Sequence, residues 1–305
     1  INLLPEKKDS RVLRMFLPAV KKALRAKNIK ANFMNSNFQN ASPVFAKKHG
    51  AVELKTNINI IELGENKIAL GFSAAIQDFD AYSKRDYGKP FRDPKSGMIP
   101  PKLSQIMINL AGNPRSEETA IFDPFCGSGT ILMEALLMGF SAIGSDSNNK
   151  MVEGTKKNID WLRANFRIAE NAKDFIFSKD ATKLSSNDFE ISNFSLVTEP
   201  YLGPELSSFP AMPFLEKVIS ELSDLYVKFF KNLSGLLKAD TPIVIIFPFW
   251  NKGKGEKIRL ADHIIDKILG LGYSRTEFDL LKTTSLFYER PGQTVGREIV
   301  RFRKK

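Results

Sequence analysis

Residues 120–138 read AIFDPFCGSGTILMEALLM. A short apolar run, Ala120–Phe122, predicts a strand, and Ile131–Met138 predicts a helix. Between them lies Asp123-Pro124-Phe125-Cys126-Gly127-Ser128-Gly129-Thr130. Two glycines at a strand-to-helix turn let backbone pass close to a ligand. A dinucleotide fingerprint would place a third glycine at 132, where the chain has Leu132, and the lysine of a phosphate loop is absent. The turn is therefore expected to hold a nucleoside without a pyrophosphate.

Working outward, apolar strands alternate with helical stretches. Strands are predicted at Ser141–Gly144, Phe175–Phe177, Phe194–Thr198 and Ile243–Phe249. Helices are predicted at Met151–Phe166, Phe214–Leu237 and near Leu260–Leu271. This alternation predicts an α/β fold, a mostly parallel Rossmann-like sheet with helices on both faces. The second strand runs into Asp146, 19 residues after Gly127, a βαβ spacing that lets a carboxylate accept from both ribose hydroxyls. The third ends at Asp180, which can accept from an adenine amino group, although an Asp at a strand end is commonly a helix cap. S-adenosylmethionine satisfies this order of sites, its methionine part lying against the glycine turn. Cys126 sits inside the turn with only His49 and His263 in the chain, so a buried packing role is expected rather than covalent catalysis.

The fourth strand ends Thr198-Glu199-Pro200-Tyr201. A glycine turn of this type followed by a Pro-Tyr strand end resembles the S-adenosylmethionine-dependent amino-methyltransferases, and among them the THUMP-associated tRNA guanosine N2-methyltransferases. The resemblance extends to residues 85–93 (RDYGKPFRD), 97–103 (GMIPPKL), 288–293 (YERPGQ) and 296–298 (GRE). It implies methyl transfer to guanosine N2 of tRNA, at position 10, with catalytic residues at Thr198–Tyr201 and the cofactor at Asp123–Thr130, Asp146 and Asp180. An exocyclic amine is a poor nucleophile because its lone pair is delocalised into the ring. Acceptors on its N–H bonds localise that lone pair, and an aromatic ring, here Tyr201, stacks on the extruded base. Thr198 and Glu199 depart from the family's Asp/Asn-Pro. Either Glu199 and the Pro200 carbonyl supply the acceptors, or the catalytic side chain is lost. A DNA amino-methyltransferase and a non-catalytic RNA-binding protein with a retained pocket are the rival readings.

The net charge is +11, and residues 1–50 carry eleven basic residues against Glu6 and Asp9, so nine of the net charges lie there. Lys21, Lys22 and Arg25 are the expected RNA contacts within this cluster, with Arg85 and Arg92 further on. Asp9-Ser10 is expected to cap a helix with Leu13, Phe16, Leu17, Val20 and Leu24 on its apolar face, kinked or restarted at Pro18. Residues 52–62 and 67–76 predict a hairpin about Gly64-Glu65-Asn66, and Val44–Ile76 resembles the end of a THUMP module. The expected organisation is a small basic α+β domain over 1–76, a linker or substrate-side loop over 77–102, and the methyltransferase domain over 103–305. One cysteine and two histidines argue against a disulfide framework or a zinc site. No membrane-spanning run or signal peptide is seen, so a cytoplasmic protein is expected. The start at Ile1 rather than Met leads to an expectation of upstream residues.

Overall fold

The computed structural model describes residues 2–4, 11–30, 40, 42–64, 67–93, 97–112, 119–188, 193–253, 255–278 and 281–305. The chain divides into two compact units, Ile1–Ala81 and Tyr82–Lys305.

The first unit holds β1 (Asn2–Leu4), α1 (Arg11–Ala26), α2 (Pro43–Lys48), β2 (Ile58–Gly64) and β3 (Lys67–Phe72). Leu13 and Leu17 are buried on α1, as the helical spacing predicts. Pro18 lies within α1, which runs on as one helix from Arg11 to Ala26 rather than restarting. The Asp9-Ser10 cap, Lys7, Lys8 and the Glu65-Asn66 turn lie outside the described residues. The predicted hairpin is present, β2 pairing antiparallel with β3 and parallel with β1. Its first strand begins later than expected, because residues 51–55 form turns and Lys55 adopts a left-handed φ of 53°.

Helix α3 (Phe79–Tyr87) carries the chain across the division between the units. The second unit continues with α4 (Pro101–Leu110) and then alternates: β4 (Ala120–Asp123), α5 (Thr130–Leu137), β5 (Ser141–Asp146), α6 (Asn149–Asn165), β6 (Asp174–Ser178), β7 (Phe194–Thr198), α7 (Met212–Ser234), β8 (Pro242–Gly253), β9 (Glu256–Arg259), α8 (Ala261–Gly270), β10 (Tyr273–Thr276), β11 (Ser285–Tyr288) and β12 (Val295–Lys304). The sheet order is β10-β12-β8-β7-β4-β5-β6, with β9 on β8 and β11 on β12. Strands β4 to β8 are parallel, and β12 runs antiparallel to β8 over nine residue pairs.

The central strands are buried on both faces, which their continuous apolar runs dictate. One apolar core joins α7 and α8 to the sheet through Tyr226, Phe229, Phe230, Phe247 and Trp250. A second packs α4 against β4, β7 and β8 through Met107, Ile121, Val197 and Val244. The parallel strands therefore all end at one edge of a rigid slab, with β4 next to β7. In open sheets of this kind ligands bind at that edge.

Candidate active site

The turn from β4 into α5 is the densest piece of local wiring in the unit. Gly127 and Gly129 adopt φ values of 53° and 79°, a region that disfavours any side chain. At Gly129 a methyl group would also lie 2.6 Å from the Thr155 side chain of α6. Asp146, at the end of β5, accepts from the Gly127 N–H at 3.0 Å and from the Asn148 N–H at 2.9 Å. Thr155 Oγ1 donates to the Gly127 carbonyl. The turn is thus preformed.

A segment that sequence reasoning left as a linker or loop braces this turn from behind. Lys89 is buried and donates to Ser128 Oγ at 3.1 Å and Thr130 Oγ1 at 2.7 Å. Burial lowers its ammonium to about 8. Asn158 of α6 bonds both N–H and C=O of Phe91 and the Ser128 carbonyl. The Phe91 ring occupies the space that a Cβ on Gly154 would need, 2.1 Å away. Arg85, an expected RNA contact, is buried in α3 and pairs with Glu134 at 2.6 Å. Its guanidinium is committed to α5, so the RNA assignment of Arg85 is corrected to a packing role. Arg92 is exposed, 5.4 Å from the Tyr87 ring centroid.

In front of the turn lies a cleft of about 720 Å³. It brings together Asp123–Ser128, Thr130, Asp146, Asp180 and Glu199–Tyr201, with Gly97–Ile99 and the Gly292–Val295 loop on its walls. Gly129 and Thr198 are not on its wall. Among the described residues its charged lining is Asp123, Asp146, Asp180, Glu199 and Glu205 against one guanidinium, Arg297. A pyrophosphate would be repelled there, whereas a sulfonium with an ammonium group suits it. The wall thus fits S-adenosylmethionine on charge as well as on turn geometry.

Individual carboxylates are already engaged. Asp123 is buried, and burial raises its carboxyl to about 7 despite a Thr198 hydroxyl donating at 2.6 Å. Thr198 is itself fully buried, so it ties the β4 and β7 ends together and does not face a substrate, which corrects its expected catalytic role. Asp180 caps a short 3-10 turn, its Oδ1 accepting from the Thr182 N–H and hydroxyl. Burial pushes its carboxyl up, but the Thr182 bonds outweigh it and hold the group below the usual range. Burial pushes the Cys126 thiol far up, consistent with packing and not with nucleophilic chemistry.

The β7 tip differs from its expected picture. Glu199 is not a solvated charge, and part of its carboxylate is already paired. Its side chain is 11% exposed and receives Arg297 from β12, Nε to Oε1 at 2.5 Å and Nη2 to Oε2 at 3.4 Å. Burial raises its carboxyl, and the Arg297 charge opposes that rise. Arg297 Nη2 also donates to the Gly97 carbonyl at 2.8 Å, so one guanidinium holds two walls of the cleft. Tyr226 donates to the Tyr201 carbonyl, while the Tyr201 ring is 59% exposed at the rim. Exposure of so large a ring rules out core packing and leaves it free to stack. Sequence reasoning gave Arg297 and Lys89 no role. The signal for Arg297 was its place in the 296–298 segment that resembles the family.

Among the described residues no group of three His, Cys, Asp or Glu could hold a metal, and no helix is long and apolar enough to cross a membrane.

A Rossmann-like sheet with a terminal antiparallel strand, a glycine turn and a β7 Pro-Tyr tip in one cleft defines the methyltransferase class. The sequence matches the RMKL-like methyltransferase domain family over residues 90–248, more than half of its length, and the chain belongs to that family. A DNA methylase family matches over residues 20–157. The tRNA (guanine(10)-N2)-dimethyltransferase of Pyrococcus abyssi is 28% identical over 194 residues, which is 63% of this chain and 50% of that protein. The enzyme of the same name from Methanothermobacter thermautotrophicus is 45% identical over 75 residues, 25% of this chain and 21% of that one. The chain thus spans half or less of the length of these relatives. The crystal structure of TrmN from Thermus thermophilus aligns with a TM-score of 0.49 at 17% identity, covering 81% of this chain and 59% of that one.

Proposed function

We propose that the chain transfers a methyl group from S-adenosylmethionine to the N2 amine of a guanosine in tRNA. The observation that carries this reading is the cleft itself. A preformed glycine turn, the Asp146 and Asp180 carboxylates and the β7 tip with its exposed tyrosine share one cavity. Relatives named for guanine-10 N2 dimethylation make position 10 the target to examine first.

Asp146 would hold the ribose hydroxyls and Asp180 the adenine amine, each using lone pairs left over from its backbone bonds. S-adenosylmethionine supplies an electrophilic methyl group. Tyr201 at the rim stacks the extruded guanine, an arrangement suited to a base taken out of its helix or loop. Glu199 and the Pro200 carbonyl accept from the amine and aim its lone pair. The Arg297 charge beside Glu199 opposes the rise that burial imposes and favours its ionised, accepting form. RNA backbone contacts fall to the basic cluster of α1 and to Arg92. Lys22 and Arg25 are exposed there and Lys21 is half-buried.

The test is to treat unmodified tRNA with the protein and labelled S-adenosylmethionine and to digest the RNA to nucleosides. N2-methylated guanosine is the expected product. Label in adenosine or cytidine would move the chain to another amino-methyltransferase specificity. Binding of cofactor and tRNA with no transfer would leave an RNA-binding protein.

A further inference from the structure

We propose that Arg297 and Glu199 act as one donor–acceptor edge that selects guanine from adenine and cytosine, the other bases with an exocyclic amine, an inference that rests on the guanosine reading above. Both residues line the cleft, and they come from strands on either side of β8. The hydrogen bonds of Arg297 use Nε and Nη2, and among the described residues none reaches Nη1. Glu199 receives two bonds from the guanidinium, and a carboxylate has about four lone-pair sites. The pair thus keeps an unused donor beside unused acceptor capacity, both held rigidly by burial.

Guanine presents the complementary order along one edge: the O6 acceptor, then the N1–H donor, then the N2 amine. Arg297 Nη1 would donate to O6 while Glu199 accepts from N1–H and N2–H. Adenine reverses the first two groups, placing an amino donor against the guanidinium and a bare N1 lone pair against the carboxylate. Cytosine offers an amino donor and an unprotonated N3 in the same places. Each wrong base leaves buried polar groups facing like partners, which is how a hydrogen-bonding site rejects analogues most strongly. The pairing also accounts for a glutamate at this strand tip. Its longer side chain reaches the β12 guanidinium while its carboxylate stays on the cleft wall.

The experiment uses 2-aminopurine, which keeps the reacting 2-amino group and lacks both O6 and N1–H. It is placed in tRNA at the nucleotide that the wild type methylates, and kcat/KM is compared with the guanine substrate. The wild type is expected to prefer guanine by about 100-fold or more. Arg297→Met is expected to shrink that preference to less than about tenfold. The double variant Glu199→Gln/Arg297→Met leaves no unpaired buried charge and is expected to behave likewise, so a folding failure of the single variant does not decide the outcome. A purely structural role for Arg297 would lower both substrates together, and an unchanged guanine preference in the double variant overturns the proposal. Wild-type transfer to adenine in place of guanine would instead overturn the guanosine reading and this inference with it.

Discussion

The two halves of the cleft are built on different physics. On the cofactor side, Asp146, Thr155 and Asn158 commit their hydrogen bonds to the backbone of the glycine turn. On the base side, the β7 tip is held by a side chain 98 positions away, and its one large ring stands in solvent. The first half is held by many bonds to the backbone of one turn, from partners 19 to 30 positions away, and is preformed without ligand. The second is specified by a long-range ion pair, so it can diverge in sequence while the fold stays the same. Thr198-Glu199, where the chain departs from the family's pattern, lies in that second half.

The largest expected effect tests the base side. Glu199→Ala removes an acceptor and strands Arg297, so turnover is expected to fall about 10²–10³-fold and stability by about 3–5 kcal/mol. Glu199→Gln should retain part of the activity, because an amide oxygen still accepts. Full activity of Glu199→Ala on tRNA would assign amine orientation to backbone carbonyls alone. Next comes the brace behind the glycine turn. Arg85→Ala leaves Glu134 buried without its partner, and denaturant melts are expected to show a loss of about 3–5 kcal/mol. Arg92→Ala should leave the melt unchanged and weaken tRNA binding. Equal effects of the two would erase the distinction between brace and RNA contact.

A smaller effect lies where the halves meet. The Asp123 carboxyl is lifted by burial from its ordinary 3.8 to about 7. The folded state therefore keeps a proton that the unfolded chain has released, and this contribution to stability is lost as pH rises from about 4 to about 7. Asp123→Asn should remove that slope, at most about 1.4 kcal/mol per pH unit, when urea melts are compared across the window. A variant with the wild-type slope would show that Asp123 is ionised throughout. The smallest effect belongs to the first unit. Neutralising Lys21, Lys22 and Arg25 together should flatten the dependence of log affinity for tRNA on log salt, by about 0.7–0.9 for each phosphate that is no longer neutralised. An unchanged slope would make the cluster a solvated helix face.

Most of the sheet was legible because buried parallel strands are continuous apolar runs. Phe194–Thr198 appears at its predicted bounds, and the other predicted strands of the sheet differ by a few residues at their ends. The terminal strands β10 to β12 were not read, since Arg297, Glu298, Arg301 and Arg303 break the apolar run of β12. Ion pairs and backbone partners make those charges tolerable there. Helix α3 and the brace after it looked like a loop because its charges are many. Yet Arg85 and Lys89 are buried by partners 49 and about 40 positions away, which no local pattern reveals. The glycine turn and Asp146 were legible because their chemistry is written in contiguous residues. The role of Arg297 was not, because it exists only once β12 is laid beside β8.

The central claim is that the cleft is an S-adenosylmethionine site whose cofactor half is ready before the base arrives. Isothermal titration of the protein with S-adenosylmethionine, in the absence of RNA, tests it most directly. The wild type is expected to bind. Asp146→Ala is expected to bind more weakly by about 1.5–3 kcal/mol, the scale of hydrogen bonds to a charged group, and Glu199→Gln to bind as the wild type does. No binding by the wild type at millimolar cofactor, or an equal loss in Asp146→Ala and Glu199→Gln, would contradict the account.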